Sequence, residues 1–291
     1  MNSRKRHVLF GYAFTMPYLL LFLLFLIAPL VFGLALSFFN WEMLSLAPPK
    51  FAGLNNYREA LHDPYFWKAL KATCLFVVMA VPLTLGTALL LALGVNSLPR
   101  RQGLYRATFV LPTMINIAVA GLLWRWFYNN EFGLFNALLA GWNIKIPWLS
   151  SSQLALPAIV LMTIWWTAGG AFLILMAGLS QIPRSCYEAA AIDGAIGFWR
   201  FAYITLPLLR PSLFFVAIMS VIGSFQVFGQ TYVITGGGPE LSTRVLVQYI
   251  YETSFHNYRM GYGAAMSWLL FLVIAMISCV QLLVGRKKDQ A

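Results

Sequence analysis

The sequence predicts an all-α membrane protein, a polytopic helical bundle of six spans. Three observations carry that expectation. The chain of 291 residues is 60% hydrophobic and only 10% charged, whereas a soluble domain carries about 25% charged residues. Its mean hydropathy is +0.74. Its apolar residues are gathered into long runs with short polar stretches between them. One run of about 18 residues would be an anchor or a targeting segment, but repeated runs make a chain that crosses a bilayer several times.

The runs place spans near 10–38, 70–95, 108–127, 156–177, 209–232 and 263–284. Each supplies about 20 residues, enough at about 1.5 Å per residue to cross about 30 Å of hydrocarbon. Residues 10–284 form one transmembrane domain, with residues 1–9 and 285–291 as short tails. The first run is too long for a signal peptide and contains Pro17 and Pro29, so it reads as a retained span. Pro82, Pro112 and Pro157 are candidate kinks.

Orientation follows from Lys and Arg. Arg4, Lys5, Arg6, Arg100, Arg101, Arg106, Arg184, Arg200, Arg210, Arg286, Lys287 and Lys288 fall on one side of a six-span topology. Lys50, Arg58, Lys68, Lys145, Arg244 and Arg259 fall on the other. Lys71 and Arg125 sit near outer span ends, where they can extend to the headgroups. The bias puts both tails in the cytoplasm. Trp41, Tyr57, Tyr65, Trp67, Trp142 and Trp148 enrich the outer loops, as interfacial aromatics do.

Several functions are disfavoured by composition. The net charge of +11 comes from residues at the ends of apolar runs, not from one nucleic-acid-binding stripe. Cys74, Cys186 and Cys279 lie far apart, with no metal or disulfide spacing. The phosphate-loop pattern GxxxxGK[ST] is absent, as are HExxH and any evident intramembrane acid. A stand-alone secondary transporter is therefore the weaker class, and no catalytic or metal-binding residue is assigned.

The loop at 178–207, GLSQIPRSCYEAAAIDGAIGFWRFAYITLP, is too ordered in composition for a simple connector. Ser185 and Glu188 stand at capping-box spacing before a short helix. Gly194 permits a tight bend after it. The segment reads either as an amphipathic loop at headgroup level or as a rigid docking element, since a short helix held at both ends transmits force.

Glu188-Ala189-Ala190, then Asp193-Gly194-Ala195, then Ile204-x-Leu206-Pro207, resemble the EAA loop of the membrane subunits of bacterial binding-protein-dependent ABC importers. Thr235-Gly236-Gly237-Gly238-Pro239, with Ser242-Thr243, resembles the loop after the fifth span in carbohydrate-importer permeases. Asn257-Tyr258, Gly261 to Ala265 and Ser267 resemble the start of their last helix, so the similarity covers nearly the whole chain. The extra N-terminal spans and outer domain of the larger maltose permease are missing.

The resemblance implies a type I importer permease in a bacterial or archaeal plasma membrane, the inner membrane in a Gram-negative cell. Its implied partners are a second, homologous permease, two cytoplasmic ATPase subunits, an extracytoplasmic binding protein and a sugar or oligosaccharide. ATP and Mg2+ belong to the ATPase, so this chain is not an enzyme and binds no cofactor. Glu188, Ala189, Ala190, Asp193 and Gly194 are the implied ATPase-coupling residues, within a coupling loop at 178–208. Gly236, Gly237, Gly238 and Pro239 are expected to face the binding protein.

The fifth span carries Ser220, Ser224, Gln226 and Gln230, with Phe225 and Phe228 between them. Ser220 and Ser224 share a face by i,i+4 spacing, as would Gln226 and Gln230 in one straight helix. By the resemblance, Ser224, Phe225, Gln226, Phe228 and Gln230 line the substrate path. Hydroxyls and amides bond sugar hydroxyls, and rings cover apolar sugar faces. The alternative is helix–helix bonding, with Gly223 and Gly229 allowing close packing. Asn116, Trp165, Trp166 and Thr167 are weaker candidates. Substrate alternatives are sn-glycerol-3-phosphate, and an amino acid or other small solute.

Overall fold

The computed structural model describes residues 3–44, 48–98 and 102–288, the residues 3–11, 13 and 286–288 by backbone alone. Arg100, Arg101 and residues 1–2 and 289–291 of the two tails lie outside the described residues, as do the side chains of Arg4, Lys5, Arg6, Arg286, Lys287 and Lys288. Fourteen α-helices occur among the described residues. They are α1 (Ser3–Phe22), α2 (Ala28–Ser37), α3 (Asn55–His62), α4 (Pro64–Asn96), α5 (Gln102–Val110), α6 (Ile117–Phe127) and α7 (Leu134–Leu139). They continue with α8 (Ala155–Ser180), α9 (Arg184–Ile192), α10 (Gly197–Arg200), α11 (Leu206–Phe225), α12 (Gly229–Ile234), α13 (Leu246–Tyr251) and α14 (Met260–Lys288).

Five helical stretches are long and apolar enough to span: Phe14–Ser37, Pro64–Asn96, Ala155–Ser180, Gly197–Phe225 and Met260–Gly285. A sixth span arises if Gln102–Met114 and Ile117–Phe127, bent by 94°, count as one. The sequence placed a span at 108–127 with Pro112 as a candidate kink, and the structure makes of it a sharp break between two helices. Pro112 lies in a 3-10 turn, Leu111–Met114, that ends α5. Asn116 then caps α6, its side-chain oxygen accepting the Ala118 N–H at 2.9 Å.

Wider helical turns at Leu23–Ile27 and Phe201–Thr205 solve a related problem. Each precedes a helix with proline in its first turn, Pro29 or Pro207, whose nitrogen has no hydrogen to donate. The N–H of Ala28 reaches back to Leu23 and that of Leu206 to Phe201, one residue further than in an α-helix. The chain thus stays helical through both prolines.

Packing divides the chain into two units. The first is Met1–Pro64 with Ile250–Leu272. It contains the exception to an all-α reading, a two-stranded antiparallel pair formed by β1 (Phe39–Asn40) and β2 (Lys50–Phe51). The Asn56 amide donates to the carbonyls of Ser37 and Phe39, at 2.9 Å each. The Gly261 N–H bonds the Trp41 carbonyl, and a methyl group at Gly261 would overlap the Phe39 carbonyl oxygen. Arg259 lies 2.7 Å from Glu59 and over the Tyr262 ring, and the Tyr262 hydroxyl donates to Asp63 at 2.8 Å. The hydrogen bond to Glu59 raises the Arg259 pKa above its usual value, against a lowering by burial. Both partners of this ion pair are partly exposed, so it contributes under about 1 kcal/mol.

The second unit is Tyr65–Tyr249 with Val273–Ala291. Its spine is α8, which joins two cores. One gathers Tyr128, Phe76, Ile159 and Met162; the other gathers Phe172, Leu175, Leu209 and Val216. The buried Tyr128 hydroxyl donates to the Ala158 carbonyl at 2.8 Å. Two glycines let neighbours approach α8: a methyl at Gly169 would overlap the Phe109 carbonyl, and one at Gly178 would overlap Ser212.

Candidate functional site

A cavity of about 310 Å³ opens between α4, α8, α11 and α12. Its polar lining is Thr84, Thr163, Thr167, Ser220, Ser224 and Gln230, and Phe76 and Trp166 give it aromatic walls. No charged side chain lines it. Thr163 donates to the Ile159 carbonyl and Thr167 to the Thr163 carbonyl, both at 2.8 Å. With its proton committed to its own helix, each hydroxyl oxygen keeps lone pairs that can accept from a guest. Gln230 is buried, and its amide forms no hydrogen bond among the described residues, so both its donor and its acceptor stay available.

Ser224 and Gln230 are therefore brought together, and Phe225, Gln226 and Phe228 are not. Helix α11 ends at Phe225, which is buried in packing. Gln226 is exposed, its N–H bonding the Gly223 carbonyl in the closing turn. Phe228 stacks on Tyr232, the centroids 5.2 Å apart. The expected face shared by Gln226 and Gln230 does not exist, because the backbone leaves helical geometry at Phe228 and restarts as α12. What the restart achieves is close packing of α12 on α6. A methyl at Gly229 would press on Ile117, and one at Gly121 would strike Val233 at 2.8 Å. Gly223 has open space beside it and lines the cavity instead.

Thr84 and Thr163 were missed from sequence. The signal was faint: Thr163 and Thr167 repeat at i,i+4 within an otherwise apolar helix. The Trp166 indole N–H donates to the Ile115 carbonyl at 2.9 Å, satisfying a group freed by the bend between α5 and α6. Trp165 packs on Trp124 at 5.5 Å, and Asn116 is the α6 cap.

The loop at 178–207 is a built turn. Helix α9 begins after Pro183, and no side chain caps it, so the expected Ser185–Glu188 capping box does not form. Ser185 already lies inside the helix. At the other end Gly194 has φ +76°, the Ala195 N–H reaches the Ala190 carbonyl at 2.8 Å, and the Gly194 N–H reaches Ala191 at 3.2 Å. This pair of bonds is a Schellman closure, which wants glycine at its left-handed position. Ala190 is buried, whereas Glu188, Ala189, Asp193 and Gly194 are exposed, as is Ile192. Tyr187 anchors the helix inward, its hydroxyl accepting from Thr205 at 3.4 Å.

The glycine loop after α12 is equally ordered. Gly236 and Gly237 have φ +62° and +91°, and the Gly238–Pro239 peptide is cis. The buried Thr243 hydroxyl donates to the Gly238 carbonyl at 2.7 Å. Gly237 is itself buried, and a methyl there would meet the Gln248 amide at 2.8 Å, so of this group Gly236 is the exposed member. Gly237 shapes the loop and offers no outward face, which corrects its assignment as a partner-facing residue. Just beyond, Thr73 of α4 donates to Ala69 and accepts the N–H of Leu246 at 2.8 Å, capping α13 from another helix. The isosteric Thr73→Val variant leaves that buried N–H unpaired. It should lower stability by about 1–3 kcal/mol, read as a drop in the detergent melting midpoint; an unchanged midpoint would refute this cap.

With the cavity, the turn after α9 and the glycine loop placed, the chain can be set beside known proteins. The sequence profile of the family described as "Binding-protein-dependent transport system inner membrane component" matches residues 66–290. The chain belongs to that family. It is 37% identical over 285 residues to the probable ABC transporter permease protein YesP of Bacillus subtilis (strain 168), covering 96% of this chain and 91% of that one. It is 36% identical to the sulfoquinovosyl glycerol transport system permease protein SmoG of Agrobacterium fabrum, covering 94% and 89%. It shares its fold, with a TM-score of 0.84, 22% identity and coverage of 97% and 96%, with a chain of the bacterial alginate ABC transporter solved in complex with an alginate pentasaccharide-bound periplasmic protein. Family membership and the long apolar helices make this a multi-pass membrane protein and a component of a transport system.

Proposed function

We propose that this chain is the permease subunit of an ATP-driven importer for a neutral sugar or oligosaccharide. The observation that carries the reading is the uncharged polar lining of the cavity: five hydroxyls and one amide among aromatic walls. A phosphate-bearing solute such as sn-glycerol-3-phosphate calls for cations, and an amino acid for paired charges, and neither is on the lining. The names of relatives agree on a saccharide, one being named for sulfoquinovosyl glycerol and the fold neighbour for alginate; both of those solutes are anionic, so neutrality rests on the lining alone.

In this reading a second permease completes the path, and an extracytoplasmic protein delivers the solute. Two cytoplasmic ATPases bind ATP and Mg2+ and hydrolyse the nucleotide, with no catalysis by this chain. Both tails are then cytoplasmic. The exposed side of α9, with Glu188, Ala189, Asp193 and Gly194, fits an ATPase surface, and closure of the ATPase pair biases the membrane path between two states. Gly236 and Pro239 present the glycine loop toward the binding protein.

The test is uptake by the assembled complex in proteoliposomes with its binding protein. Neutral saccharide should accumulate only with ATP. Gln230→Leu should cut that uptake about tenfold, the equivalent of one buried hydrogen bond near 1.4 kcal/mol, with assembly unchanged. Uptake of amino acids but not saccharides, or unimpaired saccharide uptake by Gln230→Leu, would refute the reading.

A further inference from the structure

We propose that a second cleft, at the end of α8 opposite the docking turn, is a binding site for an anionic phospholipid. The cleft measures about 480 Å³ and lies between the first half of α4, the start of α8 and the end of the glycine loop. Lys68, Lys71, Leu75 and Met79 of α4 all line it. Their spacing of three, four and four residues puts them on one face of the helix.

That face changes character along its length. The lysines occupy the end nearest the start of the helix, and Leu75 and Met79 follow, with Leu156 of α8 opposite. From Lys68 to Met79 the strip runs about 16 Å at about 1.5 Å per residue. That is half of the roughly 30 Å hydrocarbon core, the depth of one leaflet. Cations at headgroup level above an apolar wall within that leaflet match a phospholipid with a negatively charged head.

The polar end is prepared for an anion. No carboxylate lines the cleft. Lys68 spends one donor on the Glu240 carbonyl, at 2.6 Å, which fixes its ammonium at the rim and leaves two hydrogens. Ser242 Oγ is on the wall, buried, and has no hydrogen-bond partner among the described residues. Arg244 stands beside Lys68 and Leu241 around an adjoining recess, adding a third cation near the rim. The inference depends on α4 and α8 as spans, not on the transported solute, so failure of the sugar reading leaves it standing.

The experiment is native mass spectrometry of the complete transport complex and of the full chain alone. Each is released from nanodiscs holding equal phosphatidylglycerol and phosphatidylcholine. Phosphatidylglycerol should remain bound and phosphatidylcholine should not. The double variant Lys68→Gln/Lys71→Gln should lower retention about tenfold or more, whereas Lys145→Gln, outside the cleft, should leave it unchanged. Leu75→Trp keeps both lysines and obstructs the apolar wall, and should also lower retention, so the idea stays testable if the double variant does not fold. Equal retention of both lipids, or unchanged retention in the double or the Leu75→Trp variant, would overturn the proposal. Displacement by millimolar inorganic phosphate would make this a soluble-anion site and overturn it too. So would retention by the chain alone but not by the complex, because another subunit would then cover the cleft.

Discussion

Gly169→Val should abolish recovery of folded protein, while Gly170→Ala, one residue along, should leave it intact or raise it. A Cβ at position 169 would overlap the carbonyl oxygen of Phe109 and stand 3.1 Å from the Thr113 methyl. A backbone carbonyl cannot swing aside as a side-chain end can, so α5 and α8 must separate. Overpacking a core costs about 1–3 kcal/mol when side chains adjust, and a backbone collision should exceed about 3 kcal/mol. Against a total stability of about 5–15 kcal/mol that is a large share. At Gly170 a Cβ meets nothing within 4 Å, and alanine is about 1 kcal/mol better than glycine inside a helix. Size-exclusion profiles and melting midpoints of the two variants in detergent check this. Indistinguishable behaviour would mean that α5 and α8 do not meet at Gly169.

The separation at that glycine also illustrates what a sequence can and cannot disclose. Spans were legible because bilayer thickness sets a length that apolar runs must match, and 156–177 lies within α8 on that ground alone. The turn at Gly194 was legible because that glycine sits after a run of helix formers, where a left-handed residue closes a helix. The breaks were not legible. Pro112 marked the first, but its direction, a 94° bend, depends on Trp166, fifty-four residues later, bonding Ile115. The second, at Gln226 to Phe228, carries no proline, and polar and aromatic residues there continue the helical period without a gap. Its cause is tertiary: Gly229 and Gly121 admit α12 against α6.

The cavity shows the same division. Ser220 and Ser224 were visible as a pair on one face, and both line it. Thr84 and Thr163 looked like ordinary helix hydroxyls, and in one respect Thr163 is one, since it donates to its own helix. Only the convergence of α4, α8 and α11 turns such residues outward into one space. The capping box failed for a local reason: Pro183 already supplies a fixed extended residue before the first turn, with φ −60° and ψ 137°, so Ser185 falls inside α9.

The Schellman turn at Gly194 should be the most sensitive point for the proposed coupling to an ATPase. A β-branched residue at φ +76° is strained by about 1–2 kcal/mol or more. Helix α9 has only nine residues, too few to hold itself together in water, so it depends on its closing bonds and on Tyr187. With Gly194→Val the bonds from Ala195 to Ala190 and from Gly194 to Ala191 should be lost, and the exposed end carrying Ile192 and Asp193 should lose its fixed position. ATP-driven uptake should fall at least tenfold. Insertion and the melting midpoint should barely change, because a Cβ there meets no atom within 4 Å. Gly194→Asn, which tolerates the left-handed region, should restore much of the uptake, and that recovery separates a conformational requirement from a contact made by the glycine surface. Uptake and uptake-linked ATP hydrolysis, measured side by side for the two variants, decide the matter. Wild-type uptake by the valine variant, or equal loss in both, would mean that force does not pass through the closed end of α9.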